Sequence, residues 1–165
     1  MRRNELSRDT TPLTALDAID RKILAVLQSD SRVTMQELAE RVNLSASPCH
    51  RRVKLMEESG VISRYIALVD QKALGLRVSV FVSIKLERQR EEDLDRFAKA
   101  ISGWEEVLEC YLMTGTQDYL LRVVAPDLEA YETFLKRKLT RLDGIASIQS
   151  SFALQQVKYS SALPT

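Results

Sequence analysis

A basic face is predicted on a helix in the first third of the sequence. At about 100° per residue, a helix from Ala46 to Glu58 gathers polar side chains on one side and apolar ones on the other. The polar set is Ser47, His50, Arg51 and Lys54, and the apolar set is Cys49, Val53 and Met56. A guanidinium can chelate the two acceptor atoms of a guanine edge, and an ammonium can reach a base or a phosphate. This face is suited to a DNA groove, although an isolated basic run is more often only a solvated helix face.

The residues around this face are predicted to support it. Ser45 is placed to cap the helix, and Pro48 falls in the first turn, where a missing N–H costs nothing. The Ser47 hydroxyl lies where phosphates approach helix N–H groups, and Arg52, beside the apolar side, suits a phosphate better than a base. The predicted DNA-contacting residues are Ser45, Ser47, Pro48, His50, Arg51, Arg52 and Lys54.

The charge of the whole chain does not explain an affinity for DNA. Its 24 Lys and Arg and 23 Asp and Glu leave a net charge of +1, so no overall field attracts a polyanion. Between Arg41 and Lys54, however, every charged side chain is basic. Any DNA affinity must therefore come from this local patch.

Two further helices are predicted upstream of the basic face. The first follows Asp17, a good N-cap, and places Ile19, Ile23 and Leu27 on one side. The second opens with a capping box of Thr34 and Glu37 and is short. Because only about three residues separate it from the basic helix, the two must cross steeply, as in a helix-turn-helix.

The second half of the sequence alternates strand and helix patterns. The predicted order is βαββαβ, which indicates an α+β, ferredoxin-like sheet with helices on one face. The predicted elements are strand 78–86, helix 91–102, strands 107–113 and 119–124, a helix capped by Asp127, and strand 145–154. The sequence thus divides into a flexible arm (1–15), a helix-turn-helix domain (16–62), a linker strand (63–75) and a second domain with the βαββαβ order (76–165).

The loop between the two central strands has groups that suit a free amino acid. Gly115 allows close backbone approach, Asp118 can accept from an ammonium, and Tyr119 can cover a side chain. Ser150 and Ser151 on the last strand are further candidates for the border of the same pocket. From the residues alone, an ordinary hairpin turn is the favoured interpretation of Gly115 to Asp118.

Four segments resemble one known family, the Lrp/AsnC feast/famine regulators, and the similarity runs from about Leu16 to Pro164. They are Leu16–Leu24, Leu44–Val53, Gly115–Leu121 and Ser151–Tyr159. The resemblance implies a winged helix-turn-helix joined by a strand to a βαββαβ (RAM-type) domain. It also implies homodimers that assemble to tetramers or octamers and bind near-palindromic double-stranded DNA. In such assemblies the segment 76–165 is the effector-binding and oligomerisation domain, and it binds a small amino acid at a subunit interface.

The resemblance makes ligand binding the preferred interpretation of the loop. The effector-binding residues that it implies are Gly115, Thr116, Gln117, Asp118 and Tyr119. At Thr116 and Gln117 the sequence departs from the acid and the aromatic that the family often shows, so the identity of the amino acid stays open.

Other classes of protein find little support in the sequence. It has no nucleophile elbow, phosphate loop or dinucleotide fingerprint, so no enzyme, catalytic residue or cofactor is predicted. His50 is the only histidine, and Cys49 and Cys110 fit a small core residue each, so neither a metal site nor a disulfide framework is expected. Without a long apolar run, the protein is expected to be cytoplasmic and to have no membrane partner. The alternative left open is an amino-acid-sensing regulatory subunit of a metabolic enzyme that does not bind DNA.

Overall fold

The chain folds into two compact units in a computed structural model that describes residues 15–165. The first unit comprises the described residues up to Ala67 together with Lys158–Thr165, and the second comprises Leu68–Val157. The predicted arm, residues 1–15, lies outside the described residues except for Ala15. The sequence assigned the whole segment after residue 75 to one domain, whereas its last eight residues group with the first unit.

Three helices build the first unit. They are α1 (Ala18–Ser29), α2 (Met35–Arg41) and α3 (Ala46–Glu58). Both predicted caps are confirmed, since Asp17 and Thr34 each form a capping box with the residue three positions on. The buried core consists of Ile23, Leu38, Ala39, Val42, Cys49, Val53 and Met56.

The turn between α2 and α3 is tight, as the sequence predicts. Asn43 has φ +57°, the left-handed conformation that asparagine tolerates well at a helix end. The N–H of Leu44 donates back to the carbonyl of Ala39 at 2.9 Å, which closes the turn. Ser45 occupies the N-cap position of α3, but its side chain makes no capping hydrogen bond.

The predicted linker strand is not observed. Tyr65, Ile66, Leu68 and Val69 lie outside any strand, and between 48% and 64% of each is exposed. A strand needs a neighbour to take up its N–H and C=O groups, and the described part of the first unit contains no other strand. An apolar alternation without such a partner therefore stays irregular.

The second unit has the predicted βαββαβ order. Its elements are β1 (Val78–Leu86), α4 (Glu91–Ile101), β2 (Val107–Leu112), β3 (Tyr119–Ala125), α5 (Leu128–Arg137), a 3₁₀ turn (Leu139–Arg141) and β4 (Ile145–Phe152). The four strands form one antiparallel sheet in the order β2-β3-β1-β4. This order places the β2–β3 hairpin at one side of the sheet and β4 at the other edge.

The helices cover one face of this sheet. Val80, Val82 and Ile84 on β1 are fully buried there, beneath Phe97 of α4 and Phe134 of α5. The opposite face keeps large side chains exposed, among them Phe81 and Tyr111, at 39% and 52%. Two apolar residues of these helices, Ala98 on α4 and Leu128 on α5, are exposed. In the described part of the chain, no helix has both the length and the hydropathy that a bilayer crossing requires.

Candidate DNA-binding surface and effector loop

The outer face of α3 carries the predicted basic set. Ser47, His50, Arg51 and Lys54 are all exposed, while Cys49, Val53 and Met56 on the opposite side are buried in the core. Pro48 is half-buried in the first turn of the helix. The division between an apolar inner side and a basic outer side follows from the helical spacing, as predicted. The outer face is therefore available to a large polyanion.

Arg52 is engaged within the protein. Its guanidinium donates to Asp17 and to Asp20 at the start of α1, at 2.7 Å in both cases. The N–H of Asp20 and the guanidinium of Arg52 lower the pKa of Asp17, and the two carboxylates raise the pKa of Arg52. The predicted phosphate contact of Arg52 conflicts with this geometry, because both acids neutralise the cation and direct it towards α1.

The contacts of Lys54 leave it available. Its ammonium lies 3.7 Å from Glu58, one turn further along α3, and both side chains are about 60% exposed. Such an exposed pair contributes little to stability and is readily exchanged for another anion. Lys54 and His50 also border a cavity of about 390 Å³ whose wall includes Val53 and Tyr65.

The hairpin loop between β2 and β3 forms the candidate effector site. Thr114, Gly115 and Thr116 are exposed, and Gly115 has φ +113°, a conformation that an L side chain rarely adopts. Apart from the glycine itself and its two chain neighbours, no atom lies within 4 Å of the position that a Cβ on Gly115 would take. A small molecule therefore has room to approach the backbone of this loop.

Asp118 is used inside the protein rather than at the surface. Only 6% of it is exposed, and one carboxylate oxygen accepts from the N–H of Leu86 while the other accepts from Nε2 of Gln89, both at 2.7 Å. This joins the hairpin loop to the end of β1 and to the segment that follows it. The predicted role of Asp118 as the acceptor for an ammonium conflicts with this arrangement.

Tyr119 is likewise a core residue. It is 4% exposed, its ring stacks on Phe97 with centroids 4.5 Å apart, and its hydroxyl donates to the carbonyl of Leu94. It therefore faces α4, and its ring does not cover the loop.

The two serines of β4 lie apart from the loop. Ser150 pairs with Val82 on the helix side of the sheet and shares a hydrogen bond with the Tyr131 hydroxyl. Ser151 pairs with Phe81 on the open face. Because β1 separates β4 from β3, one copy of the chain does not bring these serines to Gly115.

Two features of the site escaped the sequence analysis. Leu86 and Gln89 hold Asp118, although nothing in the sequence relates positions about thirty residues apart. The side-chain oxygen of Gln117 is buried and has no hydrogen-bond partner within the described residues. In the sequence, the one sign that Gln117 is unusual is that the family often has an aromatic residue at this position.

Comparison with known proteins identifies both units. Residues 16–63 match a model described as a winged helix-turn-helix DNA-binding domain, and residues 79–163 match the Lrp/AsnC ligand binding domain. The chain belongs to the Lrp/AsnC family. The fold predicted from the sequence, a winged helix-turn-helix followed by a ferredoxin-like α+β domain, is confirmed, and this family consists of transcriptional regulators.

Relatives within the Lrp/AsnC family match over nearly their full length. The Bkd operon transcriptional regulator of Pseudomonas aeruginosa is 45% identical over 152 residues, 92% of this chain and 99% of its own. The DNA-binding transcriptional activator DecR of Escherichia coli is 41% identical over 149 residues, 90% of this chain and 98% of its own.

Solved structures of Lrp/AsnC regulators have the same fold. A regulator from Neisseria meningitidis in complex with L-Met superposes with a TM-score of 0.86 at 39% identity, over 90% of this chain and 96% of its own. An AsnC family regulator from Agrobacterium tumefaciens gives the same TM-score and coverage at 47% identity.

Proposed function

We propose that this chain is a transcriptional regulator that contacts operator DNA through the outer face of α3 and responds to an amino acid bound at the β2–β3 loop. The observation that carries the proposal is the exposed set of Ser47, His50, Arg51 and Lys54 on a helix whose other side is packed. Arg51 is assigned to a base edge and Lys54 to a base or a phosphate. Ser47 and the N-terminal turn formed by Ser45 and Pro48 are assigned to the phosphate backbone. Arg52 is assigned to positioning α3 rather than to DNA.

A homodimer is the proposed assembly. A dimer would place two recognition helices on successive major-groove faces about 34 Å apart, so its operators are expected to be near-palindromic. The open face of the sheet, with Phe81 39% exposed and Tyr111 52% exposed, supports self-association, and tetramers or octamers are the higher states that we propose. As a DNA-binding regulator akin to bacterial ones, the protein is proposed to act in the cytoplasm and to catalyse no reaction.

A fluorescence anisotropy titration with duplex DNA from the chain's own promoter tests the DNA-binding part. The double variant with Arg51→Ala and Lys54→Ala is expected to lose about 2–6 kcal/mol of specific binding, from about 1–3 kcal/mol for each of the two contacts. The matched control is Lys99→Ala, which removes an exposed cation from α4 in the other unit. Unchanged specific affinity in the double variant would refute the assignment to α3.

The response to an effector is tested in the same assay. Each of the twenty standard amino acids is added in turn, and a true effector is expected to shift DNA affinity by a coupling of about 1–3 kcal/mol. L-Met is the first to be tried, because it occupies the Neisseria regulator. Binding of an amino acid together with no binding of any duplex DNA would instead indicate a sensing subunit of an enzyme.

A further inference from the structure

The chain passes between its two units twice. The first unit runs to Ala67, the second extends from Leu68 to Val157, and residues 158–165 belong to the first unit again. Domains that are joined by a free linker are expected to move relative to each other. Two connections restrict this motion when the chain is fastened close to each of them.

Tyr65 fastens the first connection. The segment 63–67 lies outside any helix or strand, and Tyr65 in it is about half exposed. Its hydroxyl donates to Oε1 of Glu57 on α3 at 2.9 Å. Among the described residues this is the one hydrogen bond that ties the segment to a helix. Because the acceptor is a carboxylate, the bond is stronger than one between neutral groups. The chain is therefore fastened to the helix with the basic face, two residues before it leaves the first unit.

Gln28 fastens the second connection. Its Nε2 donates to the carbonyl of Leu163 at 3.1 Å, and its Oε1 accepts from the N–H of Leu163 at 2.6 Å. One side-chain amide on α1 thus satisfies both backbone groups of a residue in the closing segment 158–165. Within the described residues, no other hydrogen bond ties this segment to a helix.

The two fastenings bear on how a dimer reads an operator. Its two recognition helices engage half-sites about 34 Å apart. Two base pairs more or fewer between the half-sites move one of them by about 7 Å and turn it by about 70° around the duplex. A helix-turn-helix unit that swivels freely can follow such a shift. A unit fastened at both connections follows it only if a hydrogen bond breaks.

We infer that Tyr65 and Gln28 are positioning residues for operator recognition, which set the half-site spacing that a dimer of this chain accepts. The inference rests on the proposed function, because it presupposes a homodimer that contacts DNA through α3. Neither side chain is assigned a contact with DNA. Their effect is therefore on the preferred spacing and not on the affinity for a single half-site.

The test uses Tyr65→Phe, Gln28→Ala and the double variant of the full-length protein. Fluorescence anisotropy measures binding to the operator from the chain's own promoter and to the same duplex with two base pairs inserted or removed at its centre. The wild type is expected to prefer one spacing at least about tenfold, because a dimer that cannot engage both half-sites loses avidity. Each single variant is expected to reduce this preference at least about twofold and the double variant at least about fivefold, from the net contribution of a hydrogen bond.

Tyr159→Phe is the matched control. It removes the hydroxyl of another exposed tyrosine in the first unit, and it is expected to change the spacing preference by less than about twofold. An unchanged preference in the double variant would overturn the inference without affecting the proposed function. A wild type that binds all three spacings equally would overturn it in the same way.

A duplex with one half-site separates positioning from support of the fold. All variants are expected to bind it within about twofold of the wild type. A residue that only supports the helix-turn-helix unit would lower this affinity as well, and such a loss would overturn the inference. If the wild type binds no duplex at all, the proposed function fails and the inference fails with it.

Discussion

Replacing Asp118 by alanine is expected to destabilise the effector domain. The carboxylate is 6% exposed and accepts two hydrogen bonds, from the N–H of Leu86 and from Gln89, each 2.7 Å long. Hydrogen bonds to a charged acceptor contribute about 1.5–3 kcal/mol each, and the Leu86 N–H would be left buried without a partner. Gln89 can turn to solvent after the change, so its share is small. We expect a loss of about 2–4 kcal/mol in the free energy of unfolding.

Urea unfolding followed by tryptophan fluorescence measures this loss in the correct domain. Trp104 is the only tryptophan and lies in the second unit, so its signal reports that unit alone. Asp118→Asn keeps an acceptor for Leu86 and is expected to lose only about 1 kcal/mol, and Gln89→Ala about as much. The slope of the free energy against urea should stay constant. An Asp118→Ala variant within about 0.5 kcal/mol of the wild type would show that the carboxylate is not a structural link.

Two further predictions concern the first unit. Arg52→Ala is expected to weaken specific DNA binding without changing the slope of log affinity against log salt concentration, because Arg52 is paired with Asp17 and Asp20. Anisotropy titrations at several salt concentrations measure this slope. A slope reduced by about 0.9 would indicate a phosphate contact instead. Partial burial of the phenol and its hydrogen bond to Glu57 raise the pKa of Tyr65 from 10.0 to about 12, so the neutral phenol is favoured in the folded state. The stability that this pKa shift provides is complete below pH 10 and is lost as the pH rises towards 12. The unfolding midpoints of the wild type and of Tyr65→Phe should therefore converge over that interval. A constant difference between the two midpoints would contradict the raised pKa of Tyr65.

Local signals explain why the helices and strands could be predicted. Pro48 near the start of α3 and Gly60 just beyond its end mark the observed bounds, Ala46–Glu58. Asp17 and Thr34 mark the starts of α1 and α2 through hydrogen bonds to residues at most three positions away. In β1 the alternation of apolar and polar side chains, interrupted only at Phe81, matches the alternation of buried and more exposed positions. Each of these features depends on neighbours along the chain, so the sequence contains the whole cause.

The roles that could not be predicted depend on distant partners. Arg52 belongs to a basic run, and only the fold shows that two acids more than thirty positions upstream hold it. Asp118 resembles a ligand-binding acid until the N–H of Leu86 is found beside it. The apolar pattern of 65–69 indicates a strand, but a strand forms only when a second strand takes up its backbone hydrogen bonds. The pattern does not show whether such a partner is present. Charge and hydropathy thus identify candidates, and three-dimensional contacts decide their roles.

The ion triad of Asp17, Asp20 and Arg52 affects how the protein meets a polyanion. Its two contacts of 2.7 Å tie α3 to the start of α1, so α3 is held in place against α1 before DNA is present. Groups that are already oriented lose less conformational entropy when they bind. The cations on the outer face of α3 are thus set in position before any phosphate arrives.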